Sequence, residues 1–260
     1  MRTLTVVTYN VHHAALDERG RSWDRRRVPV VRRLREAKPD IICVQECAGQ
    51  QHVELAAELS GYEWVCVADS PGSGEHNPIG YSSDLRLLDA DTTWLSESGQ
   101  PGSVGWDSGY PRVVSEAQFS HQPTGLEFGV YNTHFDHLGT RARHMSAKRV
   151  RECVDSLPGE RPAIVAGDFN AEPGTVAYEQ LVSNEYDRTL LDARTVAAGT
   201  AGPETTFTDF STLEPDREVD HVFLTPAFEV ESYTVDATRV RGQFPSDHLP
   251  VVMECAYECD

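Results

Sequence analysis

The sequence predicts an α/β layered protein folded as a single domain over residues 1–260. Three observations predict it. Short apolar, partly β-branched runs recur along the whole chain and outnumber the helical patterns. The helical patterns alternate with them too irregularly for a doubly wound dinucleotide fold, and the Gly-rich stretches lack the glycine spacing of a phosphate loop. No repeat, low-complexity tract or long linker divides the chain, and 260 residues can bury a substantial core.

The elements follow in order. Leu4 to Asn10 reads as a first strand, and polar Val11 to Asp24 as a loop. Arg25 to Lys38 places Val28, Val30, Val31, Leu34 and Ala37 at helical spacing, with an arginine-crowded opposite face expected to be solvated and paired with surface acids. Strands are predicted at Asp40 to Gln45 and Tyr62 to Ala68, with a helix at Gln50 to Leu59 between them. A Gly/Ser/Pro loop, Asp69 to Pro78, precedes strands at Ile79 to Tyr81, Leu85 to Trp94, Val113 to Phe119 and Leu126 to Thr133. Ser96 to Pro111 reads as a surface loop. Helices are predicted at Thr140 to Leu157 and Val176 to Val182, flanking a buried strand at Ala163 to Ala166. Glu185 to Asp216 is polar and reads as irregular. Strands at Val219 to Leu224, Val230 to Val235 and Leu249 to Ala256 close the chain.

The net charge of −18, from 41 acids and 23 bases, disfavours broad binding to nucleic acid or an anionic membrane. It leaves room for an anionic substrate in a metal-bearing cleft. Only Lys38 and Lys148 are lysines, and acid-rich, lysine-poor composition also suits a high-salt cytoplasm. No signal peptide precedes the first strand, and no apolar run reaches membrane-spanning length. Cys43 and Cys66 read as buried thiols, Cys255 and Cys259 as free or paired, and no zinc-type CxxC pair exists. The expectation is a cytoplasmic monomer that does not insert into membranes.

Acids, amides and histidines recur at or just after the C-terminal ends of apolar strands: Asn10, Glu46, His134 with Asp136, Asp168 with Asn170, Asp220, and Asp247 with His248. Strand ends at one edge of a layered sheet can converge on one cleft. Gly167-Asp168-Phe169-Asn170 is the densest of these. Strand alternation places Asp168 and Asn170 on the same side, although such a tetrapeptide is also an ordinary Asx-rich turn. Hard oxygen donors with imidazoles and no thiolates suit magnesium or manganese.

Six motifs carry a resemblance: Thr8-Tyr9-Asn10, Val44-Gln45-Glu46, Asn132-Thr133-His134, Gly167-Asp168-Phe169-Asn170, Val219-Asp220-His221 and Ser246-Asp247-His248-Leu249-Pro250. In this order, spanning about residues 5 to 254, they resemble the endonuclease/exonuclease/phosphatase superfamily. The resemblance implies a four-layer α/β sandwich, with two packed, mainly antiparallel sheets flanked by helices. It implies a Mg- or Mn-dependent phosphate-ester hydrolase, most readily a phosphodiesterase acting as a nuclease on DNA or RNA. The alternatives are a phosphomonoesterase of a small sugar phosphate, nucleotide or lipid head group, and an inactive metal-binding scaffold. Metal would be held by Asn10, Glu46 and Asp247. Asp168 would orient the attacking water, and Asn170, His248 and Arg112 would contact the phosphate. Asp220 would orient His248, and Glu75 would orient His134 beside the leaving group. His12, His13, His137 and His144 are left outside the catalytic set, with His137 a candidate for the cleft edge. The Trp-Cys-Asp-Arg signature of inositol polyphosphate phosphatases is absent, since Arg217-Glu218-Val219-Asp220 stands in its place. Trp94-Leu95-Ser96-Glu97 with Gly105-Trp106-Asp107 resembles a group of small bacterial hydrolases within the superfamily.

Overall fold

The computed structural model describes residues 2–17, 20–65 and 75–257, with the backbone alone for Arg2, Glu75 and His76. The chain begins β1 (Arg2–Asn10), α1 (Trp23–Ala37), β2 (Ile41–Gln45), β3 (Cys47–Ala48), α2 (Gly49–Glu58), β4 (Tyr62–Val65), β5 (Glu75–His76) and β6 (Ile79–Ser82). It continues β7 (Leu85–Trp94), β8 (Val113–His121), β9 (Glu127–His134), α3 (Thr140–Ser156), β10 (Ala163–Asp168) and α4 (Val176–Leu181). It ends β11 (Leu191–Asp192), α5 (Ala193–Val196), β12 (Gly199–Ala201), β13 (Asp220–Leu224), β14 (Phe228–Val235) and β15 (Val251–Tyr257). The predicted strand beyond Val65, most of the loop from Asp69, and Cys66 and Cys259 lie outside the described residues. The stretch Glu185 to Asp216 is more ordered than its polarity suggests, because β11, α5 and β12 dock short segments onto sheet edges.

The strands form a seven-stranded sheet, β12-β14-β15-β1-β2-β6-β4, and a six-stranded sheet, β11-β13-β10-β9-β8-β7. Within them, β1–β2, β9–β10 and β12–β14 are parallel and the other described pairings antiparallel. A two-stranded piece, β3–β5, pairs Ala48 with Glu75. Period-two alternation divides each central strand between two cores. Leu4 and Val6 of β1, Cys43 of β2, Val130 of β9 and Ile164 and Ala166 of β10 meet between the sheets. Val7 and Tyr9 of β1 face outward against Val30 and Leu34 of α1 and Leu55 of α2. Val165 of β10 and Phe223 of β13 face Val150 and Val154 of α3 and Leu181 of α4. The result is helix, sheet, sheet, helix, as the resemblance implied.

The same alternation locates the site. Followed towards one end of the sandwich, the inward positions change from apolar to polar. Gln45 donates to Thr8 Oγ1 (2.9 Å) and Asn132 Oδ1 (2.7 Å), while Asn132 donates to the carbonyls of Val44 and Pro78 (both 3.0 Å). This buried amide layer closes the apolar core, with the Gln45 and Asn132 amide N–H groups all directed to oxygen acceptors and Gln45 Oε1 left without a partner. One step further along the inward face stand Asn10, His134 and Asp168, with Asp220 opposite Asp168 across the β10–β13 pair.

Candidate active site

Asp168 is the hub. It is the last residue of β10 and 1 % exposed. Its Oδ1 accepts from the Asn170 backbone N–H (2.9 Å). Its Oδ2 accepts from Asn10 Nδ2 (2.9 Å) and lies 3.4 Å from His134 Nε2 and 3.6 Å from His248 Nε2. Burial alone would raise its pKa, but the His248 and His134 rings and the hydrogen bonds from Asn10 and Asn170 hold it below the ordinary aspartate value.

The strand stops at Asp168, and this corrects the expected role of alternation at Asn170. Asn170 has φ +47°, so its direction is set by a left-handed turn, not by strand spacing. The tetrapeptide is an Asx turn and a piece of the site at once: one oxygen of Asp168 ties the turn and the other faces the cleft. Asn170 Nδ2 also donates to the Phe135 carbonyl (3.0 Å), leaving its second amide hydrogen for another acceptor. Gly167 is required here. Its φ is +154°, and a Cβ would stand 2.1 Å from the Thr133 carbonyl oxygen of the neighbouring strand.

Asp220 and the pair Asp247-His248 reach the site from the opposite chain direction to the one expected. Asp220 begins β13, and Asp247-His248 precede β15, both of which run antiparallel to the strand beside them. Antiparallel pairing brings the start of one strand to the end of its neighbour, so they arrive at the same edge. His248 Nδ1 lies 2.8 Å from Asp220 Oδ2, with both side chains buried. Burial opposes charging of the ring, but Asp220 and Asp168 outweigh it and raise the His248 pKa well above the ordinary histidine value. Burial, reinforced by the nearby Asp168 charge, raises that of Asp220.

Asn10 and Glu46 are adjacent, with Asn10 Nδ2 3.1 Å from Glu46 Oε1. The other Glu46 oxygen accepts from His13 N–H (2.9 Å), and Asn10 Oδ1 accepts from His12 N–H (3.0 Å). His12 itself belongs to the site, although the sequence places it outside the catalytic set. Its Nδ1 is 2.9 Å from Asp247 Oδ2. Burial lowers its pKa, but Asp247 and Glu46 outweigh that and raise it. The signal available was its place two residues after Asn10, where the loop must turn back over the strand end. Asp247 sits below the ordinary aspartate value, since the His12 hydrogen bond overcomes burial.

Arg112 is buried and donates through Nη1 to His134 Nδ1 (2.8 Å), with its Nε 3.9 Å from Asp136 Oδ1. Asp136 caps the following turn through Gly109, Leu138 and Gly139 N–H groups (3.1, 3.0 and 2.6 Å). Tyr110, 52 % exposed, stacks on the His137 ring with centroids 6.0 Å apart, and Arg112 lies 5.8 Å from the Tyr110 ring. The Glu75 side chain lies outside the described residues; its backbone pairs with Ala48.

Arg26 corrects the reading of α1 as a solvated arginine face. Arg27, Arg32, Arg33 and Arg35 pair with Glu54, Glu36 and Glu58 as expected. Arg26 turns inward, 4 % exposed, and donates to the carbonyls of Val11 (2.6 Å), His12 (3.1 Å) and Pro245 (3.3 Å) and to Asp17 (2.7 Å). It ties the loop carrying His12 to the loop carrying Asp247.

The sequence matches the description Endonuclease/Exonuclease/phosphatase family over residues 7–248. The chain belongs to that family. Its members hydrolyse phosphate esters and are typically dependent on a divalent metal. An endonuclease/exonuclease/phosphatase structure from Bacteroides vulgatus is 32 % identical, with a TM-score of 0.92, covering 99 % of this chain and 100 % of that one. A mannosyl-6-phosphatase from Bacteroides thetaiotaomicron is also 32 % identical, with a TM-score of 0.90 over 98 % and 100 % of the two chains. Nocturnin of Drosophila melanogaster is 23 % identical over 98 % of this chain and 45 % of its own length. The chain therefore spans less than two thirds of the length of the curated relatives it matches.

The donor set fits the metal this family implies. Glu46, the free lone pair of Asn10 Oδ1 and Asp247 are hard oxygens, and no thiolate stands among them. Asp168, Asp220 and His248 also cluster within 4.8 Å, but the His248–Asp220 hydrogen bond already occupies that pair. No described helix is long and apolar enough to cross a membrane.

Proposed function

We propose that this chain is a divalent-metal-dependent phosphomonoesterase acting on a small phosphorylated substrate such as a sugar phosphate. The observation that carries it is the buried Arg112 guanidinium on His134, whose ring approaches the same Asp168 oxygen as the ring of His248, a histidine with its pKa raised. Two fixed cations around one hub suit the two charges of a phosphate monoester. The net charge of −18 speaks against a long polyanion as substrate, and the full-length likeness to a mannosyl-6-phosphatase points the same way.

In this reading Glu46, Asn10 Oδ1 and Asp247 hold magnesium or manganese, which when bound neutralises charge on the phosphoryl oxygens. Asp168 orients the attacking water through Oδ2. A carboxylate held this acidic is a weak base at neutral pH, so alignment is its main contribution. His248 donates from Nε2 to a phosphoryl oxygen, while Asp220 fixes the ring and sustains its charge. Asn170 contributes its second amide hydrogen and Arg112 its guanidinium to the phosphate. His134, held at Nδ1 by Arg112, stands beside the departing oxygen.

A diesterase of nuclease type is the second reading, favoured by the exposed Tyr110–His137 stack, which offers a flat surface to a nucleobase. Purified protein with magnesium, manganese or chelator, tested on sugar phosphates, nucleotides, bis-nitrophenyl phosphate, RNA and single-stranded DNA, separates the two. Release of inorganic phosphate from monoesters is expected; turnover confined to diesters would overturn the monoester reading. Assays span low to high salt, because of the acidic composition.

A further inference from the structure

A cavity of about 990 Å³ opens between the first turns of α1, the Gly20-Arg21 turn, Phe210 and the segment Val240 to Pro245. Its lining carries Arg21, Arg25, Arg26, Arg32 and Arg241 against one acid, Asp24. That is the reverse of the chain's overall balance of 23 bases to 41 acids. Part of this charge is already used. Arg26 is held by carbonyls and Asp17, and Arg32 pairs with Glu36. Arg25 and Arg241 are exposed, and among the described residues their side chains make no hydrogen bond or ion pair.

The backbone holds Arg241 there under strain. Arg241 (φ +54°) and Gly242 (φ +84°) are both left-handed, at the centre of a turn closed by Val240 and Gln243. Asn, Asp or Gly fit the first of these positions; an arginine there is uncommon and costs conformational energy. One lining residue, Phe210, reaches the candidate active site. The Phe210 ring lies edge-on to His12, 5.1 Å between centroids, and His12 pairs with Asp247. Arg21 lies over the same phenyl ring, 4.8 Å from its centroid.

We propose that this cavity binds a small polyanion bearing two or more phosphate groups, at a site separate from the one around Asp168. Guanidinium forks match phosphate oxygens in geometry and charge, and two without a hydrogen bond or ion pair, Arg25 and Arg241, lining one concave space favour multiple phosphates over a single anion. The volume lies within the range of small-ligand sites. The cavity is local, not a stripe along the surface, so an extended nucleic acid is not its occupant.

Calorimetric titration of the full chain with inorganic tripolyphosphate, without added divalent metal, tests this. Wild type and His248→Ala should bind one equivalent with equal affinity, and binding should weaken as NaCl is raised from low to molar concentration. Arg25→Gln/Arg241→Gln should weaken binding by about tenfold or more, and Arg25→Lys/Arg241→Lys less. The glutamine pair adds no new charge, and its melting temperature reports whether it folds; if it does not, the lysine pair and each single glutamine variant carry the comparison. No binding in wild type, unchanged affinity in the folded arginine variants, or loss of binding in His248→Ala would each overturn the proposal. The last result would place the anion in the catalytic cleft. Because the titration needs no turnover, it stands apart from the phosphomonoesterase reading.

Discussion

His248 Nδ1 and Asp220 Oδ2 lie 2.8 Å apart with both side chains buried, so the ring that faces Asp168 is fixed from behind. Asp220→Asn keeps the volume but removes the charge that sustains the imidazolium. It is expected to lower kcat by about 10²- to 10⁴-fold with a smaller change in KM, while His248→Ala lowers it at least as far. Steady-state kinetics on a monoester, with circular dichroism to confirm folding, check both. Near-native kcat in both variants would remove the pair from the mechanism.

One Glu46 oxygen accepts from Asn10 Nδ2 at 3.1 Å, and its second oxygen is steadied by His13 N–H. Chelator should abolish activity, and added magnesium or manganese should restore it. Glu46→Gln is expected to raise the metal concentration for half-maximal rate by about tenfold or more, because an amide is a weaker, uncharged ligand. An unchanged metal requirement would place the ion elsewhere.

Gly167→Ala meets both a backbone conformation closed to alanine and the Thr133 carbonyl oxygen, 2.1 Å from the new Cβ. Denaturant titration should show a loss of at least about 3 kcal/mol. A neutral result would contradict the strand-end geometry on which Asp168 depends.

Asp136 gives a pH-dependent test of stability. Burial raises its pKa, but the N–H groups of Gly139, Leu138 and Gly109, with Ser108, outweigh this and leave it lowered in the folded protein. A carboxyl depressed on folding stabilises above its unfolded pKa, near 3.9, and that contribution is lost as pH falls through the lower folded value. Asp136→Asn is therefore expected to lose about 1–3 kcal/mol at neutral pH. The gap to wild type should close progressively below about pH 4. Urea melts across pH check this; a gap independent of pH would mean that the charge is not what stabilises the turn.

Much of the fold was legible because period-two alternation of apolar residues is a local property. The predicted strand Leu85 to Trp94 has its observed boundaries, and the predicted strand Ala163 to Ala166 falls short only of Gly167 and Asp168, whose glycine and acid do not look like strand. β11 and β12 were missed because segments of two and three residues owe their form to the sheet edge they join.

The motif residues could be picked out one at a time, but their meeting could not. Asp220 and His248 lie at strand starts, and only antiparallel pairing brings them to the end where β1, β9 and β10 finish. His12 and Arg26 look like loop and surface residues, because what places them is contact in the folded chain: His12 with Asp247, and Arg26 with the carbonyls of Val11, His12 and Pro245. The sequence by itself determined the layers, the inward face of each strand and the chemical types available at its end. The tertiary structure decided which of those groups touch, which carry charge and which arginine is buried. Charge state and contact depend on burial and on neighbours across the sandwich, and neither is a property of any local stretch of chain.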